Sequence, residues 1–230
     1  MRIIFVRHGH PDYTLDCLTE LGHLQAEAVA QRLKDEPIKT IYSSGKGRAI
    51  ETAQHIANTV GLHLQEPLLF MNEIAWRAPE GSDVPHNGQP WAMVSEMVTN
   101  GQDLFSLNWQ EEEPFCRHTK LLNLIPPMTA DFDQFLTNFG LEREGNYYRV
   151  HKNNDDTIVI ASHAGSSSVI LSHLFNIPLP MVLKAMSPNF TAATVVDISG
   201  EEGALVSPDF EIMNDARHIA DLSTEKTFNY

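Results

Sequence analysis

The chain has 230 residues, enough for one α/β domain with a full hydrophobic core and an insertion. Sixteen Lys and Arg against thirty Asp and Glu give a net charge of −14, which argues against a nucleic acid or an anionic membrane as partner. The chain has two cysteines without a C-x-x-C motif, and only a short apolar run precedes Arg7. No stretch approaches the roughly 18 consecutive apolar residues of a membrane span. We therefore expect a cytoplasmic protein.

The first predicted element is a strand over Ile3–Val6, a short apolar run typical of a strand buried on both faces. It is followed directly by Arg7-His8-Gly9-His10-Pro11. In open α/β sheets ligands bind at the carboxyl ends of the strands, so these side chains are placed where a ligand is expected. Arginine matches phosphate oxygens, glycine lets the backbone approach an anion, and an imidazole can act as a nucleophile.

The spacing of apolar residues predicts a helix over Leu21–Lys34, with Thr19 as its N-cap. A second strand is predicted at Ile38–Tyr42. Two strands joined by a helix indicate a parallel crossover unit.

The block Ser43–Ala53 predicts a turn that leads into a helix ending near Val60, with Gly61 as its C-terminal stop. Arg48 falls in the first turn of that helix. The free amides of a helix N-terminus attract anions, and an arginine there strengthens the attraction. The alternative is that Arg48 is an ordinary solvated residue, as most arginines are.

The region from Ser82 to Arg149 has the weakest patterns, because several prolines interrupt it. Helices are predicted at Trp91–Val98 and Met128–Phe139, the second with an apolar face that suits the core. We expect a cap over the active site and one helix packed on the sheet. Between Ser82 and Gly140 the only basic residues are Arg117 and Lys120.

A further buried strand is predicted at Thr157–Ala161, followed by His163-Ala164-Gly165 and a helix through Leu174. Small residues after a buried strand form another turn that can accept an anion. The remaining predictions are a short helix and two strands: Pro178–Met186, Ala192–Ile198 and Ala204–Met213, the strands joined by a hairpin-like turn.

Five blocks, in this order, resemble the histidine phosphatase superfamily, the phosphoglycerate mutase-like group. They are Arg7-His8-Gly9, the stretch Leu18–Ala26, the stretch Ser43–Ala53, the segment around Asn72-Glu73-Ile74 and the block at His163, and Asn214–Ile219 resembles the family's closing element. The resemblance implies an α/β three-layer sandwich in which helices flank a mainly parallel central sheet. It also implies a single domain over 1–230, with a cap insertion at about 82–127.

By this resemblance His8 is the nucleophile, and Arg7, Arg48 and His163 hold the phosphoryl group, assisted by Gly9 and Ala164. The acid/base carboxylate is Glu73, with Glu80 as the rival for the same role. The family's usual H-G-G is His163-Ala164-Gly165 here, and we expect the change to be tolerated unless Ala164 requires a positive φ. His218 is expected to pack or to form a hydrogen bond.

The implied activity is that of a histidine acid-type phosphatase, a phosphomonoesterase that acts on a small phosphorylated metabolite through a phosphohistidine. No cofactor and no metal are expected, and a homodimer is possible. The mutases of the family resemble G-E-S-x-x-N after Arg-His-Gly, whereas this chain has His10-Pro11-Asp12-Tyr13, so mutase activity is the alternative. Asp12 and Tyr13 either shape the substrate entrance or form a simple Pro-Asp turn.

Two readings from other classes compete with the phosphatase. His8-x-His10 at a strand end is a pair that can ligate zinc, which would suit a metal-dependent hydrolase. A non-catalytic phosphate-binding module on the same fold is the second, since fold does not fix function.

Overall fold

The structure of the protein is a computed structural model, which describes residues 1–222. The strands in that range are β1 (Arg2–Arg7), β2 (Pro11–Asp12), β3 (Cys17–Leu18), β4 (Ile38–Ser43), β5 (Leu141–Glu144), β6 (Tyr147–Val150), β7 (Thr157–Ser162), β8 (Ala193–Asp197), β9 (Leu205–Val206) and β10 (Asp209–Asp215). The α-helices in that range are α1 (Glu20–Leu33), α2 (Gly47–Val60), α3 (Pro90–Thr99), α4 (Thr119–Thr137), α5 (Ala164–Phe175) and α6 (Leu179–Ala185). No helix in the described part has the length and apolar character to cross a bilayer.

The central sheet has five strands in the order β10-β8-β1-β7-β4. β7 pairs in parallel with β1 on one side and with β4 on the other. β8 is antiparallel to both β1 and β10, so β10 runs in the same direction as β1. The sheet is therefore mostly parallel, and the predicted fold class is confirmed.

Helices cover both faces of this sheet because the side chains of β1 alternate between two hydrophobic clusters. Ile3 and Phe5 belong to a cluster built with residues of α4, α5 and α6. Ile4 and Val6 belong to a second cluster built with residues of α1 and α2. Every residue of β7 is buried, as expected for a strand between two helical layers. The three layers place the carboxyl ends of the parallel strands at one edge.

Several predicted elements agree closely with the structure. Thr19 caps α1 by accepting the N–H of Gly22 at 3.1 Å. α2 ends at Val60, and Gly61 follows it in the left-handed conformation. β1 and β4 are parallel, as the crossover predicts, but β7 lies between them. The insertion of β7 brings the block at His163 between the other two strand ends.

Helix α4 differs from the prediction, because it begins at Thr119 rather than Met128 and runs through Pro126 and Pro127. A proline inside a helix lacks the N–H of a helical bond and crowds the preceding turn, which is why a break was expected. Buried residues on both sides of the prolines, Leu121 before and Phe132 after, anchor the two halves of the helix in the same core. Tertiary packing outweighs the local preference here.

The predicted strand Ala204–Met213 is two strands in two different sheets. β9 pairs with β6, which forms a hairpin with β5 that the sequence analysis did not predict. β10 pairs with β8 in the central sheet. Pro208 separates the two, and its missing N–H suits the point where the chain leaves one sheet for the other.

The segment between α2 and α4 carries α3 and several short 3₁₀ turns. Val84, Met93 and Trp109 from this segment are buried in the same cluster as Phe132 of α4. The single domain over 1–230 with a cap insertion at about 82–127 stays a prediction, and residues 223–230 lie outside the described residues.

Candidate active site

Three strand ends meet at one edge of the central sheet. The N–H of His8 after β1 donates to the carbonyl of Ser162 in β7 at 2.9 Å. The N–H of Ser44 after β4 donates to the carbonyl of Ala161 at 2.9 Å. The imidazoles of His8 and His163 consequently lie with ring centroids 5.0 Å apart. The two histidine blocks, far apart in the sequence, form one site.

His8 is 1 % exposed, and its hydrogen bonds define which ring nitrogen carries the proton. Nδ1 lies 2.7 Å from the carbonyl oxygen of Gly9. Since a carbonyl only accepts, Nδ1 carries the hydrogen, and Nε2 keeps its lone pair in the neutral ring. Burial, followed by the charge of Arg7, the neighbouring His163 and the charge of Arg48, lowers the pKa of His8 well below its ordinary value. The ring is therefore a neutral imidazole with an unprotonated Nε2.

The two arginines approach this ring from different elements. Arg7, at the end of β1, donates from Nη1 to the carbonyl of Pro188 at 2.9 Å and lies over the ring of Phe190, 3.9 Å from its centroid. Arg48, in the first turn of α2 as predicted, donates from Nε to Nε2 of His8 at 3.3 Å. Arg48 also forms an ion pair with Asp16. Both guanidinium groups are buried, so their charge acts in a poorly solvated pocket.

His163 is fully buried and is oriented by Ser44. The hydroxyl oxygen of Ser44 accepts the N–H of Lys46 at 3.3 Å and lies 2.8 Å from Nε2 of His163. The only acceptor for the hydroxyl hydrogen within the described residues is then Nε2, which leaves the ring proton on Nδ1. Nδ1 is buried without a hydrogen-bond partner in residues 1–222. Burial and the charges of Arg48 and Arg7 lower the pKa of His163 to about 2, so this donor belongs to a neutral ring.

Glu73 reaches the same place from the segment after α2. Its carboxylate accepts the N–H of Ile74 at 3.0 Å. A Cβ placed on Gly165, in the first turn of α5, would lie 2.5 Å from Oε1 of Glu73 and 2.4 Å from the indole of Trp76. The absence of a side chain at Gly165 therefore lets the carboxylate approach the start of α5. Burial raises the pKa of Glu73, against the opposing effect of its Ile74 hydrogen bond, Arg7 and Arg48.

Comparison with known proteins agrees with this arrangement. Residues 3–97, which contain the ends of β1 and β4 and the segment around Glu73, match the model of the histidine phosphatase superfamily, branch 1. Over these residues the chain is similar to the histidine phosphatase superfamily. The resemblance drawn from the motifs is thereby confirmed. No curated sequence is significantly similar to the chain.

Solved structures share the fold of this chain over nearly its whole length. A phosphoserine phosphatase from Entamoeba histolytica, solved with 3-phosphoglyceric acid, is 24 % identical with a TM-score of 0.59, and the match covers 95 % of this chain and 98 % of that one. A mycobacterial glucosyl-3-phosphoglycerate phosphatase is 19 % identical, with a TM-score of 0.59 and coverages of 93 % and 98 %. The alpha-ribazole phosphatase from Shigella flexneri is 16 % identical, with a TM-score of 0.56 and coverages of 94 % and 97 %.

Gly9 and Ala164, which the resemblance implied as assisting phosphate binding, have different surroundings. The N–H of Gly9 donates to the hydroxyl of Thr52 at 3.1 Å, so Gly9 has a partner within the protein. Ala164 opens α5 and is not among the residues with positive φ, so the change from the usual glycine introduces no backbone strain. The side chain of His163 caps none of the first amides of α5. α5 begins directly after β7, which is the arrangement expected of an anion-accepting turn.

Asp12 and Tyr13, the two residues considered for the substrate entrance, have different positions in the structure. The carboxylate of Asp12 accepts the N–H of Thr14 at 2.8 Å and that of Leu15 at 3.1 Å, which is the simple turn that the Pro-Asp sequence allowed. The Tyr13 side chain is exposed, and its ring centroid lies 5.3 Å from Cζ of Arg48. Tyr13 thus stands at the outer side of the site, whereas Asp12 shapes the loop that carries it.

Glu80 and His10 were the alternatives, the first as proton donor and the second as part of a zinc site. Glu80 is exposed, whereas Glu73 adjoins the start of α5. Nδ1 of His10 lies 3.0 Å from the hydroxyl of Thr19, and the ring packs edge-on against Phe190. Within residues 1–222 no group of three or more His, Cys, Asp or Glu is arranged to hold a metal ion. His218 forms a hydrogen bond with the hydroxyl of Thr191 at 3.1 Å, in agreement with the structural role expected for it.

Four site residues were missed by the sequence analysis. They are Asp16, Ser44, Trp76 and Phe190. Ser44 and Trp76 lie inside blocks that resemble the superfamily, so their positions offered a signal. Asp16 and Phe190 lie in loops without a recognisable pattern, and only the packing of those loops places them at the site.

Proposed function

We propose that the protein is a phosphomonoesterase, a phosphatase of the histidine phosphatase superfamily that acts on a small phosphorylated metabolite without a metal ion. The observation that supports this most is the neutral His8, whose unprotonated Nε2 accepts the N–H of Arg48 Nε, together with the nearby Arg7 and the buried Nδ1–H of His163. Phosphoryl transfer needs in-line positioning and stabilisation of charge on three equatorial oxygens. Two guanidinium groups and a neutral donor supply that stabilisation from the chain itself.

In the first step, Nε2 of His8 attacks phosphorus and the bond from phosphorus to the ester oxygen breaks. The electron pair stays on the ester oxygen, which takes a proton from the carboxyl group of Glu73 and leaves as an alcohol. A raised pKa suits Glu73 to this role, because it keeps the carboxyl protonated closer to neutral pH. The product on the enzyme is a phosphohistidine.

In the second step, water is the acceptor. The Glu73 carboxylate takes a proton from the water as its oxygen bonds to phosphorus, and the bond from phosphorus to Nε2 breaks with its electron pair returning to the ring. Inorganic phosphate is released, and both His8 and Glu73 regain their starting protonation. The depressed pKa of His8 supports this cycle, since the ring returns to the neutral nucleophile.

The charges around the cap favour hydrolysis over a mutase reaction. A mutase must hold a second anionic group on the substrate while the phosphoryl group is transferred. Arg117 is 2.8 Å from Glu113 and 3.8 Å from Asp83, and Lys120 donates to the carbonyl of Arg77 at 2.8 Å. The two basic residues of the cap region are therefore already engaged with protein groups, which supports hydrolysis over a mutase reaction.

The test is a panel of phosphate esters assayed in the presence of EDTA, with His8→Ala as the blank and His63→Ala, an exposed histidine, as the matched control. We expect turnover in the wild type and in the control, and none in the blank. In water labelled with ¹⁸O, the released phosphate should carry one labelled oxygen. Stable isomerised esters without phosphate release would establish a mutase instead.

Other results would remove the proposal altogether. Turnover that EDTA abolishes and a divalent ion restores would indicate a metal-dependent hydrolase. Binding of phosphate without turnover of any ester would indicate a non-catalytic module.

An acid-labile, alkali-stable phosphoryl label that appears on the wild type and not on His8→Ala would support the covalent intermediate.

A further inference from the structure

The loop between β2 and β3 places a carboxylate against the start of α2. One oxygen of Asp16 forms an ion pair with Nη1 of Arg48. The other, Oδ2, accepts the N–H of Gly47 at 3.1 Å. Asp16 itself has a φ of 54°, in the left-handed region that Asp adopts more readily than most residues. Both carboxylate oxygens are therefore engaged by the first turn of α2.

Gly47 makes this contact possible. A Cβ placed on Gly47 would lie 2.1 Å from the carbonyl oxygen of Asp16, so any other residue would push the loop away. The loop consequently rests directly on the backbone of α2. Its position relative to Arg48 is fixed by the ion pair, by the backbone hydrogen bond and by this close approach.

The orientation of the Arg48 guanidinium follows from its two partners. Nη1 faces Asp16, and Nε donates to Nε2 of His8 at 3.3 Å. In a planar guanidinium the N–H of Nε and one N–H of Nη2 lie along the same edge, which forms a two-pronged donor for phosphate. That edge faces His8. The Asp16 side chain is 38 % exposed and that of Arg48 is 8 % exposed, so the carboxylate lies on the outer side of the arginine.

We propose that Asp16 is a positioning residue for Arg48, which directs the Nε and Nη2 edge at the phosphoryl group that His8 attacks. This inference rests on the proposed phosphatase function. Asp16 does not occupy the phosphate position, because it engages Nη1 and not the Nε and Nη2 edge that faces His8. Without the carboxylate, the buried guanidinium keeps its charge but gains rotational freedom, and fewer of its conformers present both donors to the transition state.

The experiment compares Asp16→Asn and Asp16→Ala with Glu36→Gln, which removes a carboxylate from an ion pair with Arg2 elsewhere in the fold. We expect Asp16→Ala to lower kcat/KM by about 10- to 100-fold, the range typical of hydrogen bonds to charged groups, with most of the change in kcat. Asp16→Asn should lose less, because an amide oxygen can still accept from Gly47 or Arg48. Glu36→Gln should match the wild type.

A double-mutant cycle separates positioning from general stability. In an Arg48→Ala background, Asp16→Asn should lower kcat/KM less than twofold further, because the group that it positions is gone. Equal losses in both backgrounds would overturn the proposal, as would unchanged kinetics of both Asp16 variants. Faster turnover in these variants would show that Asp16 competes with the substrate, which also contradicts it.

A binding measurement distinguishes this proposal from the proposed function. Orthovanadate is titrated calorimetrically into the wild type and Asp16→Asn, because its trigonal-bipyramidal adducts resemble the transferring phosphoryl group. Weaker binding to Asp16→Asn is expected, whether or not any ester in the panel is turned over. If the wild type binds orthovanadate and turns over no ester, the phosphatase proposal fails alone. Equal affinity of the two proteins would count against the role of Asp16.

Discussion

The proton affinity of His163 gives a prediction whose magnitude follows from the structure. Its pKa is lowered to about 2 in the folded protein, against 6.5 for an ordinary histidine. Below pH 6.5 the unfolded chain binds a proton at this position and the folded chain does not, so the free energy of unfolding falls as the pH falls. Between pH 6.5 and pH 4.5 the loss from this one residue is about 2 kcal/mol, since one proton bound only by the unfolded chain changes the free energy of unfolding by roughly 1.4 kcal/mol per pH unit.

The assay is urea unfolding of the wild type and His163→Gln at pH 6.5, 5.5 and 4.5. Carboxylates, His8 and other groups also contribute to the pH dependence, and the difference between the two proteins isolates His163. We expect the variant to lose about 2 kcal/mol less than the wild type over this range. Parallel curves for the two proteins would refute a neutral, buried His163 in the folded protein.

Three further predictions concern catalysis. Arg7→Ala and Arg48→Ala should each lower kcat/KM by about 10²- to 10³-fold in steady-state assays, the usual effect of losing a donor to a developing anion, and a variant with near-normal turnover would remove that arginine from the site. With Glu73 as proton donor, wild-type kcat should fall as the pH rises through the raised pKa of its carboxyl group. For alkyl phosphates Glu73→Gln should abolish this decline along with most activity, whereas an aryl phosphate with a good leaving group should still be turned over. Gly165→Ala should impair turnover because its Cβ would overlap Glu73 and Trp76, and Trp76→Phe should restore part of it by removing one of the two overlaps; an active single variant would contradict the close approach.

Local patterns predicted much of the fold correctly. The apolar run at Ile3–Val6 and the Thr19 cap specify their elements with residues only a few positions apart, so sequence alone was sufficient. The start of α4 was predicted wrongly because the prediction relied on the local effect of the two prolines and could not include the buried contacts of Leu121 and Phe132. The hairpin of β5 and β6 was missed because its strands are short and their third partner, β9, lies far along the chain.

For the site, the sequence by itself determined which chemical groups are present and which strand or helix carries each of them. Arg7, His8, Arg48 and His163 could be named in advance, because each follows a strand or opens a helix and lies in a block that resembles the superfamily. Only the tertiary structure decided that β7 lies between β1 and β4, that Ser44 orients His163, and that Asp16 holds Arg48. Contacts of this kind join residues distant in the sequence, so they arise only when the strands take their order in the sheet and the loops pack on the helix ends.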